Sequence, residues 1–142
     1  MFAPGTGKRL AILALIATFA FLTLGGDQAL AARGGGKGTD GSLSLVLLDS
    51  TDGLPHYGQH VTFNVSTTAT DSPYVNLKCY QDGAFVGEAW RGFFPGSLSG
   101  QTFTLGGSTL WQSGAADCTA YLDEYTRHGW LQLASTSFHV YP

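Results

Sequence analysis

From Ser42 to the C-terminus, apolar and polar residues alternate with a period of two, and turn residues interrupt them about every ten positions. No stretch keeps a helical period for long. This spacing predicts an all-β domain, with strands at residues 43–48, 60–67, 74–81, 84–91, 101–106, 115–123 and 131–141. Asp52-Gly53-Leu54-Pro55, Asp71-Ser72-Pro73 and Phe94-Pro95-Gly96 fill gaps between strands with residues that bend the chain.

Successive side chains of a strand point to opposite faces, so the alternation also assigns faces. Val61, Phe63 and Val65 share one side of their strand, and Thr62, Asn64 and Ser66 the other. Val75, Leu77 and Cys79 form one face of the next strand, and Ala116, Cys118, Ala120 and Leu122 one face of a later one. Both cysteines therefore fall on apolar faces, where one bond can join them in the core.

The N-terminus changes how those cysteines are read. Lys8 and Arg9 precede an apolar run of about fifteen residues, Leu10 to Leu24, and Ala29-Leu30-Ala31 follows as a small-x-small cleavage site. This is the pattern of a cleavable signal peptide over residues 1–31. The run is shorter than the roughly twenty residues a spanning helix needs, so no membrane association is expected after cleavage. A secreted chain meets an oxidising compartment, where two lone cysteines form a disulfide in preference to a metal site or a nucleophile.

Residues 32–42 read ARGGGKGTDGS, a Gly-rich flexible spacer with nothing larger than alanine to bury. Pro4-Gly5-Thr6-Gly7-Lys8 and Gly34-Gly35-Gly36-Lys37-Gly38-Thr39 imitate phosphate loops, but neither has the required glycine spacing or a strand before it. The remaining residues, 43–142, fit one domain. After cleavage the chain carries Arg33, Lys37, Lys78, Arg91 and Arg127 against nine carboxylates, a formal charge of about −4. Nucleic acid is not an expected partner of so acidic a chain. A monomer is expected.

Over roughly residues 43 to 142 the chain resembles an immunoglobulin-like β-sandwich domain of the bacterial, secreted kind. Val61-Thr62-Phe63-Asn64-Val65 is similar to a B strand, and the segment from Val75 to Val86 is similar to a C strand turning through Asp82-Gly83 into C′. Ala116-Asp117-Cys118-Thr119-Ala120-Tyr121 is similar to an F strand, and Phe138-His139-Val140-Tyr141 closes a G strand. The resemblance implies a fold and not a function. In antibody domains the bridge joins strands B and F, a strand C tryptophan packs on it, and a tyrosine stands two residues before the second cysteine. Here Ala116 holds that tyrosine position, and Cys79 lies just before a tight turn of the kind that joins neighbours within one sheet. The preferred reading puts Cys79 on strand C and Cys118 on an adjacent strand F. The competing reading puts Cys79 on strand B, with Trp90 as the core tryptophan.

Residues able to carry a reaction are thin. His56, His60, His128 and His139 are scattered, and proline and glycine beside His56 and His60 prevent helical alignment as metal ligands. Asp49, Asp52, Asp123 and Glu124 could meet at a calcium ion only if loops converge; single aspartates in turns more often bond nearby amides. Gly96-Ser97-Leu98-Ser99-Gly100 has leucine where a nucleophile elbow needs serine. Asn64-Val65-Ser66 matches a glycosylation triplet but falls in mid-strand. No catalytic residue, cofactor or metal is assigned.

An aromatic excess remains. If strands C and F are neighbours, Tyr74, Lys78 and Tyr80 of one and Tyr121 and Tyr125 of the other share an outward face, with Trp90 beside them. Such rings can stack on sugars or anchor a protein at low entropic cost. The plainer reading is that strands favour aromatics and that outward tyrosines shield the sheet. The expected function is a secreted, non-catalytic module that binds a protein, cell-wall or carbohydrate partner. The alternative is a small secreted hydrolase with a loop-borne Asp/His site.

Overall fold

The computed structural model describes residues 40–142. The signal peptide expected at 1–31 and the expected spacer up to Thr39 lie outside those residues. Among the described residues there is no helix, and seven strands form two sheets. The strands are β1 (Gly41–Leu47), β2 (His60–Thr67), β3 (Tyr74–Gln81), β4 (Ala84–Gly92), β5 (Phe103–Thr104), β6 (Ala116–Thr126) and β7 (Gly129–Val140). One sheet has the order β1-β2-β5 and the other β4-β3-β6-β7. Every pairing within them is antiparallel.

The two sheets share one core. Val61 and Phe63 of β2 and Phe103 of β5 meet Val75, Leu77, Cys79, Cys118, Ala120 and Leu122 of β3 and β6. These are the inward positions of the two-residue alternation, because burying one face of each sheet against the other is what stabilises such strands. Cys79 and Cys118 are directly opposite each other on β3 and β6 and are bonded, with Cα atoms 4.1 Å apart. The bridge thus lies within the four-stranded sheet, which overturns the reading that made Trp90 the core tryptophan. Trp90 lies on β4 across from Asn76, on the outward side. The buried tryptophan is Trp111, in the segment after β5, where its indole donates to the Gly114 carbonyl at 3.1 Å.

Several boundaries differ from expectation, and the larger shifts have local reasons. β1 starts at Gly41, inside the expected spacer, because Gly41 and Ser42 pair with Thr67 and Ser66. A β-carbon on Gly41 would come within 3.0 Å of Leu122 Cδ2, so this glycine serves close packing. The strand expected at 101–106 keeps only Phe103 and Thr104, because the chain turns through Gly106 at φ +87° and Gly107 donates back to Thr104 at 3.2 Å. β6 and β7 extend toward each other and meet in a hairpin at Thr126–Gly129.

Candidate functional site

The outward face of the four-stranded sheet carries all six residues singled out by the sequence. Tyr74, Lys78 and Tyr80 alternate with the buried Val75, Leu77 and Cys79 on β3, and Tyr121 and Tyr125 stand on β6 opposite the cysteine-bearing side. The face divides into two regions. Tyr80 lies at one end, edge-on to Phe85 with centroids 5.7 Å apart. Tyr74, Trp90 and Tyr125 gather at the other end around Trp130, at 5.3, 4.7 and 5.0 Å, and Phe94 packs on Tyr74 at 5.3 Å. Tyr121 lies opposite Asn76, between the two regions.

Trp130 and Phe94 were not expected in this face. Trp130 is in it because of a β-bulge in β7. Leu122 pairs with Ala134 and Asp123 with Gln132, so Leu133 is an additional residue with no partner on β6. Leu133 is buried like a core residue, and the residues before it change faces relative to simple alternation. Trp130 therefore pairs with Tyr125 on the outside. A second bulge, at Val86 in β4, likewise buries Val86 and turns Phe85 outward beside Tyr80.

Trp90 and Trp130 come from the two edge strands of this sheet, three strand spacings apart, or roughly 14 Å. Centroids only 4.7 Å apart require the indoles to lean toward each other across β3 and β6. On the diagonal between them the outward residues of the central strands include Asn76 and Asp123, and both are buried, at 3% and 7% exposure. Asn76 Nδ2 donates to Glu88 Oε1 at 2.8 Å, and Trp90 Nε1 donates to the same oxygen at 3.0 Å. A carboxylate only accepts, so Glu88 fixes which end of the amide faces it. Asn76 Oδ1 is left buried without a hydrogen-bond partner among the described residues. Lys78 lies 3.6 Å from Glu88. Burial raises the Asp123 carboxyl above the usual carboxylate range, and the charge of Lys78 offsets this only in part.

Other polar groups are dispersed. His56 lies 2.9 Å from Asp52, His60 2.8 Å from Asp49 and His139 2.7 Å from Asp117; His56 is half-buried and the other two histidines are exposed. Ser50 Oγ is 3.1 Å from Asp52 Oδ1 and 2.7 Å from the Leu54 carbonyl. The carboxylate thus stands between hydroxyl and imidazole, whereas an activated serine needs the imidazole between them. Asp49 and Asp52 are engaged by histidines, and no group of three candidate ligands forms a metal site among the described residues. A cleft of about 230 Å³ opens between the sheets near Leu77, Ala89, Arg91, Thr104, Ser108 and Trp111. Arg91 reaches over the Phe103 ring and donates to the Trp90 and Thr102 carbonyls.

No protein family, curated protein or solved structure matches the chain.

Proposed function

We propose that the chain is an exported, non-catalytic module of immunoglobulin-like architecture that binds its partner through the outward face of the β4-β3-β6-β7 sheet. The strand order supports the architecture: β1-β2-β5 and β4-β3-β6-β7 correspond to the A-B-E and C′-C-F-G orders of that fold, read in chain sequence. The disulfide suits an oxidising, extracellular-type compartment, in line with the leader pattern of residues 1–31. No helix among the described residues is long and apolar enough to cross a membrane.

One observation carries the binding role. Five rings cluster on the outward face, with Trp130 50% and Tyr125 68% exposed. Outward tyrosines that merely shield a sheet need not converge on a half-exposed indole, whereas exposed tryptophan and tyrosine are the residues that dominate binding energies.

The test compares wild-type secreted protein with a Trp130→Ser/Tyr125→Ser variant for retention on cell-envelope and secreted-polymer fractions. Cooperative thermal unfolding together with an unshifted Trp111 indole NMR signal serves as the fold control. Retention should fall at least tenfold in the folded variant. Undiminished retention, or a turnover activity that survives these changes and is lost in His56→Ala, overturns the proposal.

A further inference from the structure

We propose that the aromatic end of this face recognises an organic ammonium group, held by the rings around Trp130 above the acceptor oxygens of Asp123 and Asn76. The inference rests on the binding role just proposed and names the chemistry of the ligand.

Two features select a cation over a flat sugar. The first is the arrangement of the rings. Trp130 stands at 84° to Tyr74 and 61° to Tyr125, with centroids 5.3 and 5.0 Å away, and Tyr74 stands at 69° to Phe94. Stacking along a sugar chain needs ring faces lying in one plane. Steep angles instead make walls, and a rounded cation within about 6 Å of several ring faces is attracted by each quadrupole. The second is the sign of what lies beneath. Asn76 Oδ1 is an acceptor, 3% exposed as a residue and without a partner, and it is turned away from the carboxylate that holds its Nδ2. Asp123 is its diagonal neighbour across the β3–β6 ladder. Only burial and the charge of Lys78 act appreciably on that carboxyl.

Asn76 Oδ1 therefore needs a donor, and the partly desolvated Asp123 carboxyl beside it favours one that carries positive charge. The chain's own cations do not meet this need. Lys78 is closest to Glu88, and Arg127, at the hairpin tip next to Tyr125 and Trp130, donates to His128 Nε2 at 2.9 Å. Glu88 and Asp123 stand against Lys78 and Arg127, so the formal charges balance, but neither cation reaches Asn76 Oδ1, and a donor from outside is left to meet it. A lysine side chain of a protein and a quaternary ammonium such as choline share this chemistry.

The experiment titrates the full secreted chain with choline chloride, with Nα-acetyl-lysine amide and with 3,3-dimethylbutanol, the uncharged carbon isostere of choline. Intrinsic tryptophan fluorescence and the Trp130 indole NMR signal report binding. At least one of the two cations should give a saturable change at roughly millimolar concentration, and the neutral isostere should bind roughly tenfold more weakly or worse. The stronger of the two cations names the source. Asp123→Asn keeps shape while removing the buried charge; it should fold with a raised melting temperature and bind the cation roughly tenfold more weakly. Trp130→Ala should abolish the response while the Trp111 indole NMR signal stays unchanged.

Equal binding of the isostere, no response to either cation, or undiminished binding by folded Asp123→Asn overturns the ammonium assignment. If envelope retention still falls in the Trp130→Ser/Tyr125→Ser variant, the face stands and only the ligand class is wrong. If cations bind but retention is indifferent to the face, the binding role fails instead.

Discussion

Breaking the Cys79–Cys118 bond without changing the sequence should remove a large part of the stability of this domain. The cysteines are 39 residues apart, and the ring they close contains β4, β5 and Trp111, which reach both sheets. Loop-closure entropy for a ring of this size amounts to about 4 kcal/mol, against a total of about 5–15 kcal/mol for a typical domain. Reduction leaves both sulfurs in place at opposed core positions, so no cavity term is added. The melting temperature should drop by ~15–30 °C. In urea, with a slope of about 1–3 kcal/mol/M, the midpoint should move down by about 1.5–4 M. The assay is thermal and urea unfolding of oxidised and reduced protein, with thiol titration of each unfolded state confirming zero and two free thiols per chain. Coincident midpoints for verified oxidised and reduced protein would refute the entropic reasoning. Two reactive thiols in the unreduced protein would refute the bond itself.

Two further outcomes concern the loops. The hydrogen bond from His56 holds the Asp52 carboxyl down to about 2, so its share of stability is present above about 4 and is lost as pH falls through about 2. Asp52, and then the Pro142 carbonyl, raise His56 above its usual value, so its share is full below about 6.5 and is lost as pH rises through the raised value. NMR titration should place the His56 midpoint above 6.5, and Asp52→Asn should bring it back down; an unmoved midpoint would remove the pairing. Gly106→Ala should cost about 2–5 kcal/mol, because the positive φ costs ~1–2 and the Tyr57 ring occupies the space of the new β-carbon at a further ~1–3. Gly53→Ala, with a positive φ but open surroundings, should cost only the first part by thermal melting, and equal losses would refute the packing argument.

The strands that alternation located best are those whose core face is apolar and whose outward face is polar or aromatic. β2 and β3 match their expected limits because Val61, Phe63, Val75, Leu77 and Cys79 alternate cleanly with polar neighbours. The β3–β4 turn was equally legible, since Asp82 and Gly83 both take positive φ, the demand of a two-residue hairpin turn that Asp-Gly satisfies. Where residues contradict their usual environment, the reading stopped short. Asp123-Glu124 resembles the end of a strand, yet β6 runs on to Thr126, with Asp123 buried opposite Tyr74. Asn76 drew no notice because it is not aromatic. The available signal was its place between Tyr74 and Lys78 on their face.

The largest gap concerns Trp130, and its cause is general to bulged sheets. Alternation counted back from Ala134, which faces the core opposite Leu122, assigns Gln132 and Trp130 to the core side as well. Leu133 breaks that count by packing inward next to Ala134, and every residue before it exchanges faces. Nothing in the local sequence marks the exchange, because an apolar residue followed by alanine fits a buried run as well as a bulge. The choice is settled at a distance: Gly41 of β1 lies against Leu133 Cβ and Leu122 Cδ2, and its missing side chain leaves room for both leucines. A close approach in the core between β1 and β7 thus determines which surface carries the indole. The aromatic end of the face is in this sense a product of the register of the core, and a residue with no exposed ring, Leu133, is among those that position it.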